Sequence, residues 1–249
     1  MPRYKLTVEY DGGPYVGWQR QNTGPTIQAA LEDVIQAFSG ERVTVEGAGR
    51  TDAGVHATGQ VAHVDLSTDR FTALKLMGAI NALLKPQPIA IRDAEIVSER
   101  FHARFSAVER AYRYVIINRL APLAIGQGRA WHVSTPLDST AMAAAAARLV
   151  GHHDFTTFRA THCQAKSAIK TLDHMSVEQD AERILILTRA RSFLHHQVRN
   201  IVGTLRLVGE GKWTPDDVTT ALEARNRAAG GPTAPADGLY LTGVRYDAS

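Results

Sequence analysis

The chain has 249 residues, of which 44% are hydrophobic and 21% are charged, and these ordinary globular values exclude a disordered or fibrous protein. Its single cysteine, Cys163, excludes an internal disulfide framework and a cysteine-rich zinc site, and we expect a reducing compartment, the cytoplasm. The chain has no apolar run near the roughly 18 residues of a membrane span and no signal-peptide pattern after Met1, so we expect a protein that is neither membrane-bound nor exported.

The formal net charge of +3 by itself indicates only a solvated surface. Arginines outnumber lysines, however, and many of them fall in two stretches of the chain. These are Arg100, Arg104, Arg110, Arg113 and Arg119, and then Arg189, Arg191, Arg199 and Arg206. The planar guanidinium group suits phosphate and stacks on bases, so the distribution of charge points modestly to a nucleic-acid partner.

The first part of the chain predicts the order strand, helix, strand, strand, helix, strand. Residues 3–10 alternate between apolar and polar side chains, which is typical of a half-buried strand. Thr26 can cap a helix whose apolar residues recur at helical spacing from Ile27 to Phe38, with Gly40 at its end. The other predicted elements here are strands at 42–46, 60–66 and 89–97 and a helix at 71–84.

The rest of the chain predicts the same order without repeating the sequence. Its strands are expected at 112–117, 169–177, 184–188 and 239–246, and its helices at 141–150 after an Asp138 cap, along 198–208 and near 216–223. Two successive βαββαβ arrangements predict an α+β protein with two ferredoxin-like halves, residues 1–105 and 106–249. Their sheets should be antiparallel or mixed, with a central cleft where the halves meet.

The Gly-rich loop at 47–59 is the most unusual segment of the sequence. It compresses Arg50, Asp52 and His56 between glycines that let the backbone approach a ligand closely. An ordinary interpretation is a hairpin connection in which Asp52 forms an Asx turn and Arg50 is solvated. Because a two-residue turn would suffice to join the strands, the length of the loop favours a functional site.

Several other kinds of site are not supported. The sequence lacks a dinucleotide-binding fingerprint, a phosphate-binding P-loop and the zinc-binding pattern of nucleobase deaminases. Three pairs contain neighbouring candidate metal ligands: His152 with His153, His162 with Cys163, and His195 with His196. Adjacent residues of a regular helix or strand point to different faces, so we expect none of these pairs to hold one ion. We therefore expect chemistry without a metal.

The run GAGRTDAGVHATGQV at 47–61 closely resembles the catalytic motif of the tRNA pseudouridine synthase A family. Six further segments resemble motifs of the same family and occur in the same order. They are residues 10–21, 101–106, 112–114, 154–159, 193–203 and 238–241. The resemblance therefore extends over essentially the whole chain.

This resemblance implies the pseudouridine synthase fold, with a catalytic Asp loop in the first half and a cleft completed by the second. It implies an isomerase, an intramolecular transferase that converts uridine to pseudouridine at positions 38, 39 and 40 in the anticodon stem-loop of tRNA. It also implies a homodimer that uses no cofactor and no metal. Position by position, it makes Asp52 the essential aspartate, Tyr112 the ring that packs on the target base, Arg199 the partner of the aspartate, and Arg50 the arginine beside the flipped nucleotide.

Other interpretations of these residues stay open. Without the resemblance, Tyr112 would be read as a core aromatic residue and Arg199 as a side chain that extends to water. The fold could also belong to an RNA chaperone that makes no product, because ferredoxin-like sheets bind RNA through aromatic residues. A base-releasing glycosidase is a further alternative, although it would ordinarily need a second carboxylate as general acid.

Overall fold

The computed structural model describes residues 1–161 and 163–247. Contacts divide the chain into two compact units, one containing residues 1–108 and the C-terminal residues from Tyr240, the other containing residues 109–239. The sequence-based prediction places all residues after 105 in the second half. In the structure the last strand, from Tyr240 onward, lies with the first unit because it pairs with a strand of that unit. That one half carries the catalytic loop and the other completes a cleft stays a prediction.

The first unit is built on a mixed sheet. Its strands are β1 (Arg3–Tyr10), β2 (Glu46–Gly47), β3 (His56–Asp65), β4 (Ile89–Val97) and, numbered in chain order, β10 (Leu239–Tyr246). Strand β1 lies between β4 and β3 and is antiparallel to both. The other edge of β3 pairs with β2 in antiparallel orientation and with β10 in parallel orientation. The order β4, β1, β3, β2 is that of a ferredoxin-like half, which confirms the predicted α+β class.

Two helices, α1 (Ile27–Ser39) and α2 (Ala73–Leu84), complete the first unit. The Thr26 hydroxyl caps α1 by accepting the Ala29 N–H, and Gly40 ends the helix in a left-handed conformation, as predicted. The buried residues of α1 recur at helical spacing, and alternate residues of β1 are fully buried. Each such apolar side chain contributes about 1.5 to 3 kcal/mol through burial. The sheet and helices therefore share an ordinary hydrophobic core.

The second unit repeats the arrangement with additions. Its elements are β5 (Ala107–Asn118), β6 (Trp131–Val133), α3 (Ser139–Ala147), β7 (Gly151–Asp154), β8 (Ile169–Asp180), β9 (Arg183–Ala190), α4 (Gln197–Gly209) and α5 (Pro215–Glu223). Strand β9 lies between β5 and β8 and is antiparallel to both. Strand β7 extends the sheet beyond β8, and β6 pairs with β5 in parallel orientation. Along the described ranges, no helix has the length and apolar character needed to cross a membrane.

Some predicted boundaries were wrong. The expected strand at 42–46 is reduced to β2, because side chains of α1 take the backbone groups of Val45: its N–H donates to Glu32 and its carbonyl accepts from Gln28. Strand β3 begins at His56, so the loop before it covers only residues 48–55. Helix α3 ends at Ala147, before the predicted end at 150, and β7 begins at Gly151. The short strands β6 and β7 were not predicted.

Candidate functional site

The loop at 48–55 connects β2 to β3 and carries Asp52 near its middle. The Val55 N–H donates to the Asp52 carbonyl at 3.1 Å, which closes a tight turn around the aspartate. Asp52 is half-buried, whereas Arg50 on the same loop is exposed. A half-buried carboxylate and an exposed guanidinium on one loop could serve a reacting nucleoside and its phosphates, respectively.

Residues 10–18, which begin at the last residue of β1, hold this loop by backbone hydrogen bonds. The Trp18 N–H donates to the Thr51 carbonyl at 3.0 Å, and the Gly54 N–H donates to the Tyr15 carbonyl at 3.3 Å. These two hydrogen bonds fall on either side of Asp52. The backbone of the aspartate is therefore fixed by a neighbouring segment as well as by its own turn.

Two glycines make this close approach possible. At Gly17, where φ is +109°, an added Cβ would lie 2.7 Å from the Thr51 carbonyl oxygen. At Gly12 an added Cβ would lie 2.0 Å from the Val55 carbonyl oxygen. Only glycine fits at these positions without displacing the backbone of the Asp52 loop.

Side chains add further anchors to the loop. The hydroxyls of Tyr10 and Thr51 lie 2.8 Å apart in a buried hydrogen bond, and the Gln60 amide donates to the Gly49 carbonyl at 2.7 Å. Burial raises the pKa of Tyr10 to about 12, although its hydrogen bonds with Thr51 and Gln60 act in the opposite direction. Tyr10 is therefore a neutral phenol at physiological pH.

In the second unit, Tyr112 lies on β5, opposite Thr188 of β9. Its ring is half-buried and meets Phe193 edge to face, with centroids 5.0 Å apart. An aromatic neighbour in this geometry fixes the orientation of the ring. Tyr112 is thus not a fully buried core residue, unlike Tyr114 two positions further along the strand, which has no exposed surface.

Arg199 belongs to the first turn of α4 and is held by the segment at 232–235. Its Nε donates to the Ala234 carbonyl at 2.8 Å, and the Ala234 N–H donates to the Arg199 carbonyl at 3.0 Å. Gly203 permits this approach, because an added Cβ there would lie 1.7 Å from the Pro232 carbonyl oxygen. These contacts orient the guanidinium group of Arg199.

The candidate residues therefore fall into two groups. Asp52 and Arg50 share one loop of the first unit, whereas Tyr112 and Arg199 lie on β5 and α4 of the second. The pairing of Asp52 with Arg199 and Tyr112 stays a prediction. Sequence reasoning gave no role in the site to Tyr10, Gly12 and Gly17, although the glycines stand in a conspicuous glycine-rich segment immediately after β1 and Tyr10 is the last residue of that strand.

The expectation that adjacent histidines point apart is wrong for His195 and His196. Their ring centroids lie 4.0 Å apart. His196 has a left-handed conformation, with φ of 61°, at the start of α4, so the rule for regular helices and strands does not apply to it. His162 lies outside the described residues.

A separate group, Glu46, His63 and His102, brings potential ligand atoms within 4.8 Å of one another. Backbone N–H groups occupy Nδ1 of both rings: Ala103 donates to His63 at 3.3 Å and Arg104 donates to His102 at 3.1 Å. In the neutral rings Nε2 then carries the proton, and that of His102 lies 3.2 Å from Glu46 Oε2. This tautomer suits a hydrogen bond better than metal ligation, which needs the unprotonated nitrogen.

The chain matches a known protein family along most of its length. Residues 6–106 and 145–247 match the family described as tRNA pseudouridine synthase. The chain is 61% identical to tRNA pseudouridine synthase A of Paramagnetospirillum magneticum, over 100% of this chain and 97% of the relative. It is 60% identical to the protein of that name in Rhodospirillum centenum and 57% identical to that of Zymomonas mobilis, in each case over 99% of this chain and 100% of the relative. The chain belongs to the tRNA pseudouridine synthase family.

Proposed function

We propose that this chain isomerises uridine to pseudouridine in the anticodon stem-loop of tRNA and that Asp52 is its essential carboxylate. The observation that carries the proposal is the fixed backbone of Asp52, which is held on both sides by residues 10–18. Such preorganisation of a catalytic group raises the reaction rate, because the reacting geometry is set before the substrate arrives.

The reaction breaks the bond between N1 of uracil and C1′ of ribose, turns the base and joins C5 to C1′, while C5 loses a proton and N1 gains one. Substrate and product are isomers, so the reaction consumes no electrons and needs no group donor. One carboxylate can serve as nucleophile or as base in this sequence. Attack on C1′, addition to the pyrimidine ring and removal of a sugar proton all place Asp52 beside the same nucleoside.

The target base must leave its stack before a carboxylate can reach it. In the proposal, Tyr112 packs on the extruded base and Arg50 braces the nucleotide beside it, because aromatic and guanidinium groups replace lost stacking. Arg199 offsets the cost of keeping Asp52 charged in a partly desolvated site. The exposed position of Arg50 and the half-exposed ring of Tyr112 support these roles.

The homodimer and the cytoplasmic location belong to the same proposal. A dimer would let one subunit hold the body of the tRNA while the other presents Asp52 to the stem-loop. The single cysteine supports a reducing compartment. The arginine-rich stretches support binding to phosphates, and we expect tRNA affinity to fall steeply with salt concentration.

The test is to incubate the purified chain with a tRNA transcript and to map pseudouridine by position. Wild type should modify uridines of the anticodon stem-loop. Asp52→Asn should abolish turnover and leave tRNA affinity within a few fold, because shape is kept and only the charge is lost. Asp173→Asn, which changes an exposed aspartate of β8, is the matched control and should keep full activity.

Other products would identify other functions. Tight binding without pseudouridine from wild type would indicate the RNA chaperone. Release of free uracil would indicate a base-releasing enzyme. Substantial turnover by Asp52→Asn would remove Asp52 from its proposed role while leaving the activity in place.

A further inference from the structure

We infer that His56, together with Asp11, is a positioning residue that sets the geometry of Asp52. The inference rests on the role of Asp52 under the proposed function. His56 is the first residue of β3 and closes the Asp52 loop. Its ring is 2% exposed, so it is too deeply buried to be offered as a contact for RNA.

One nitrogen of this ring is fastened to the segment after β1. The His56 Nδ1 accepts the Gly12 N–H, with 3.0 Å between the two nitrogens. Asp11 Oδ1 lies beside the same nitrogen at 3.1 Å. The same carboxylate oxygen accepts the Gly13 N–H at 2.9 Å. Asp11 and His56 therefore form one small polar cluster that joins the start of residues 10–18 to the end of the Asp52 loop.

The face of the ring contacts a third segment of the chain. The rings of His56 and Tyr240 stack with centroids 4.7 Å apart and an angle of 25° between their planes. The two residues are also direct neighbours in the parallel pairing of β3 with β10. Three of the segments that resemble family motifs, at 10–21, 47–61 and 238–241, thus meet on one imidazole.

His56 is linked to Asp52 by the short stretch of backbone between them, residues 53–55, and by the contacts of Val55. The Asp52 carbonyl accepts the Val55 N–H, and the Val55 carbonyl lies against the backbone of Gly12, where a Cβ would not fit. A shift of His56 would therefore move Val55 and, through the turn, the aspartate. A displacement of about 1 Å in a catalytic group costs up to roughly 100-fold in rate.

Packing alone does not account for a histidine here. A buried polar ring is costly unless it is hydrogen-bonded, and an apolar residue would fill the same space without that cost. In His56 the polar atom Nδ1 accepts the backbone N–H of Gly12. That contact orients the loop, which is the property that an apolar residue cannot supply.

The experiment compares the single-turnover rate at saturating tRNA with the Kd for tRNA. His56→Phe keeps an aromatic ring for Tyr240 and removes the polar atom. We expect its rate to fall roughly 10- to 100-fold, with Kd within about twofold of wild type. His56→Asn restores a polar atom near the position of Nδ1 and should recover part of the rate.

His63→Phe is the matched control. His63 is also buried on β3, and its Nδ1 also accepts a backbone N–H, that of Ala103. We expect this variant to lose stability to unfolding and to keep its rate within about twofold. The control separates the general cost of removing a buried histidine from an effect on the Asp52 loop.

Asp11→Asn provides a second variant if His56→Phe folds poorly. It keeps an oxygen for the Gly13 N–H and removes the carboxylate charge, and we expect a smaller loss of rate at unchanged Kd. A wild-type rate in His56→Phe would overturn the inference. Where that variant does not fold, a wild-type rate in Asp11→Asn would do so. A weaker Kd at an unchanged rate would also overturn it. A wild-type chain that makes no pseudouridine would instead contradict the proposed function.

Discussion

The phenol of Tyr10 and the hydroxyl of Thr51 form a buried hydrogen bond of 2.8 Å, one residue before Asp52. Both groups lie inside the first unit, where Thr51 is 7% exposed and Tyr10 is 3% exposed. Because a buried polar group that loses its partner keeps its desolvation cost, the bond should be visible in stability as well as in activity.

Tyr10→Phe and Thr51→Val should each lower the free energy of unfolding by about 1 kcal/mol, because each leaves the other hydroxyl without this partner. The double variant should lose less than the sum of the two, since it removes both polar groups together. Urea denaturation of the four proteins gives the coupling energy as a double-mutant cycle. Strictly additive losses would show that the two hydroxyls do not depend on each other.

Gly17→Ala should reduce turnover more than tenfold, because its Cβ would lie 2.7 Å from the Thr51 carbonyl and push the loop that carries Asp52. Gly40→Ala is the control, since Gly40 also has positive φ, +79°, with open space around its Cβ position. That variant should lose about 1 to 2 kcal/mol of stability and keep its turnover number. Equal turnover in both variants would mean that close packing at Gly17 does not position the loop.

The parts of the fold that the sequence predicted well are those encoded locally. Helix α1 with its Thr26 cap and its Gly40 terminus follows from spacing within a few residues. Strand β10 has the predicted bounds, Leu239–Tyr246, and its buried Leu239 and Leu241 lie on either side of the half-buried Tyr240.

The parts that were missed depend on distant partners. Val45 looks like a strand residue in the sequence, yet its backbone groups are taken by Glu32 and Gln28 of α1. Likewise, the Asp52 loop could be singled out from its composition, but its anchors to Tyr15 and Trp18 could not. Pairings of this kind depend on tertiary structure, which periodicity does not report.

The ion pair between Arg3 and Asp65 predicts a pH dependence of stability. Arg3 donates to both carboxylate oxygens, at 2.7 and 2.6 Å, and these hydrogen bonds lower the pKa of Asp65 against the opposing effect of burial. Because the folded pKa lies below the unfolded value of about 3.9, the pair stabilises the protein fully above that value. The stabilisation is lost as the pH falls through the folded pKa.

Asp65→Asn should therefore lower the free energy of unfolding at neutral pH by about 1 kcal/mol, a modest figure because the carboxylate is partly exposed. The difference from wild type should shrink as the pH falls below the unfolded value of about 3.9 and through the lower folded pKa. Asp93→Asn, at an exposed position of β4, should show no such trend. Denaturation at several pH values measures the free energy of unfolding of both variants and of wild type. A difference between Asp65→Asn and wild type that does not change with pH would contradict the lowered pKa of Asp65.

Arg199→Met should lower the single-turnover rate at saturating tRNA at least tenfold, because the proposed role of Arg199 is to supply the positive charge that offsets the desolvation cost of the Asp52 carboxylate. Arg199→Lys keeps the charge but cannot reproduce the Nε contact to the Ala234 carbonyl, so it should retain only part of the rate. Arg148→Met, which removes an exposed arginine paired with Asp216, is the control and should stay within about twofold of wild type. If Arg199→Met instead weakened the Kd for tRNA and reduced the salt slope of binding by about 1 at an unchanged rate, Arg199 would be a contact for an RNA phosphate.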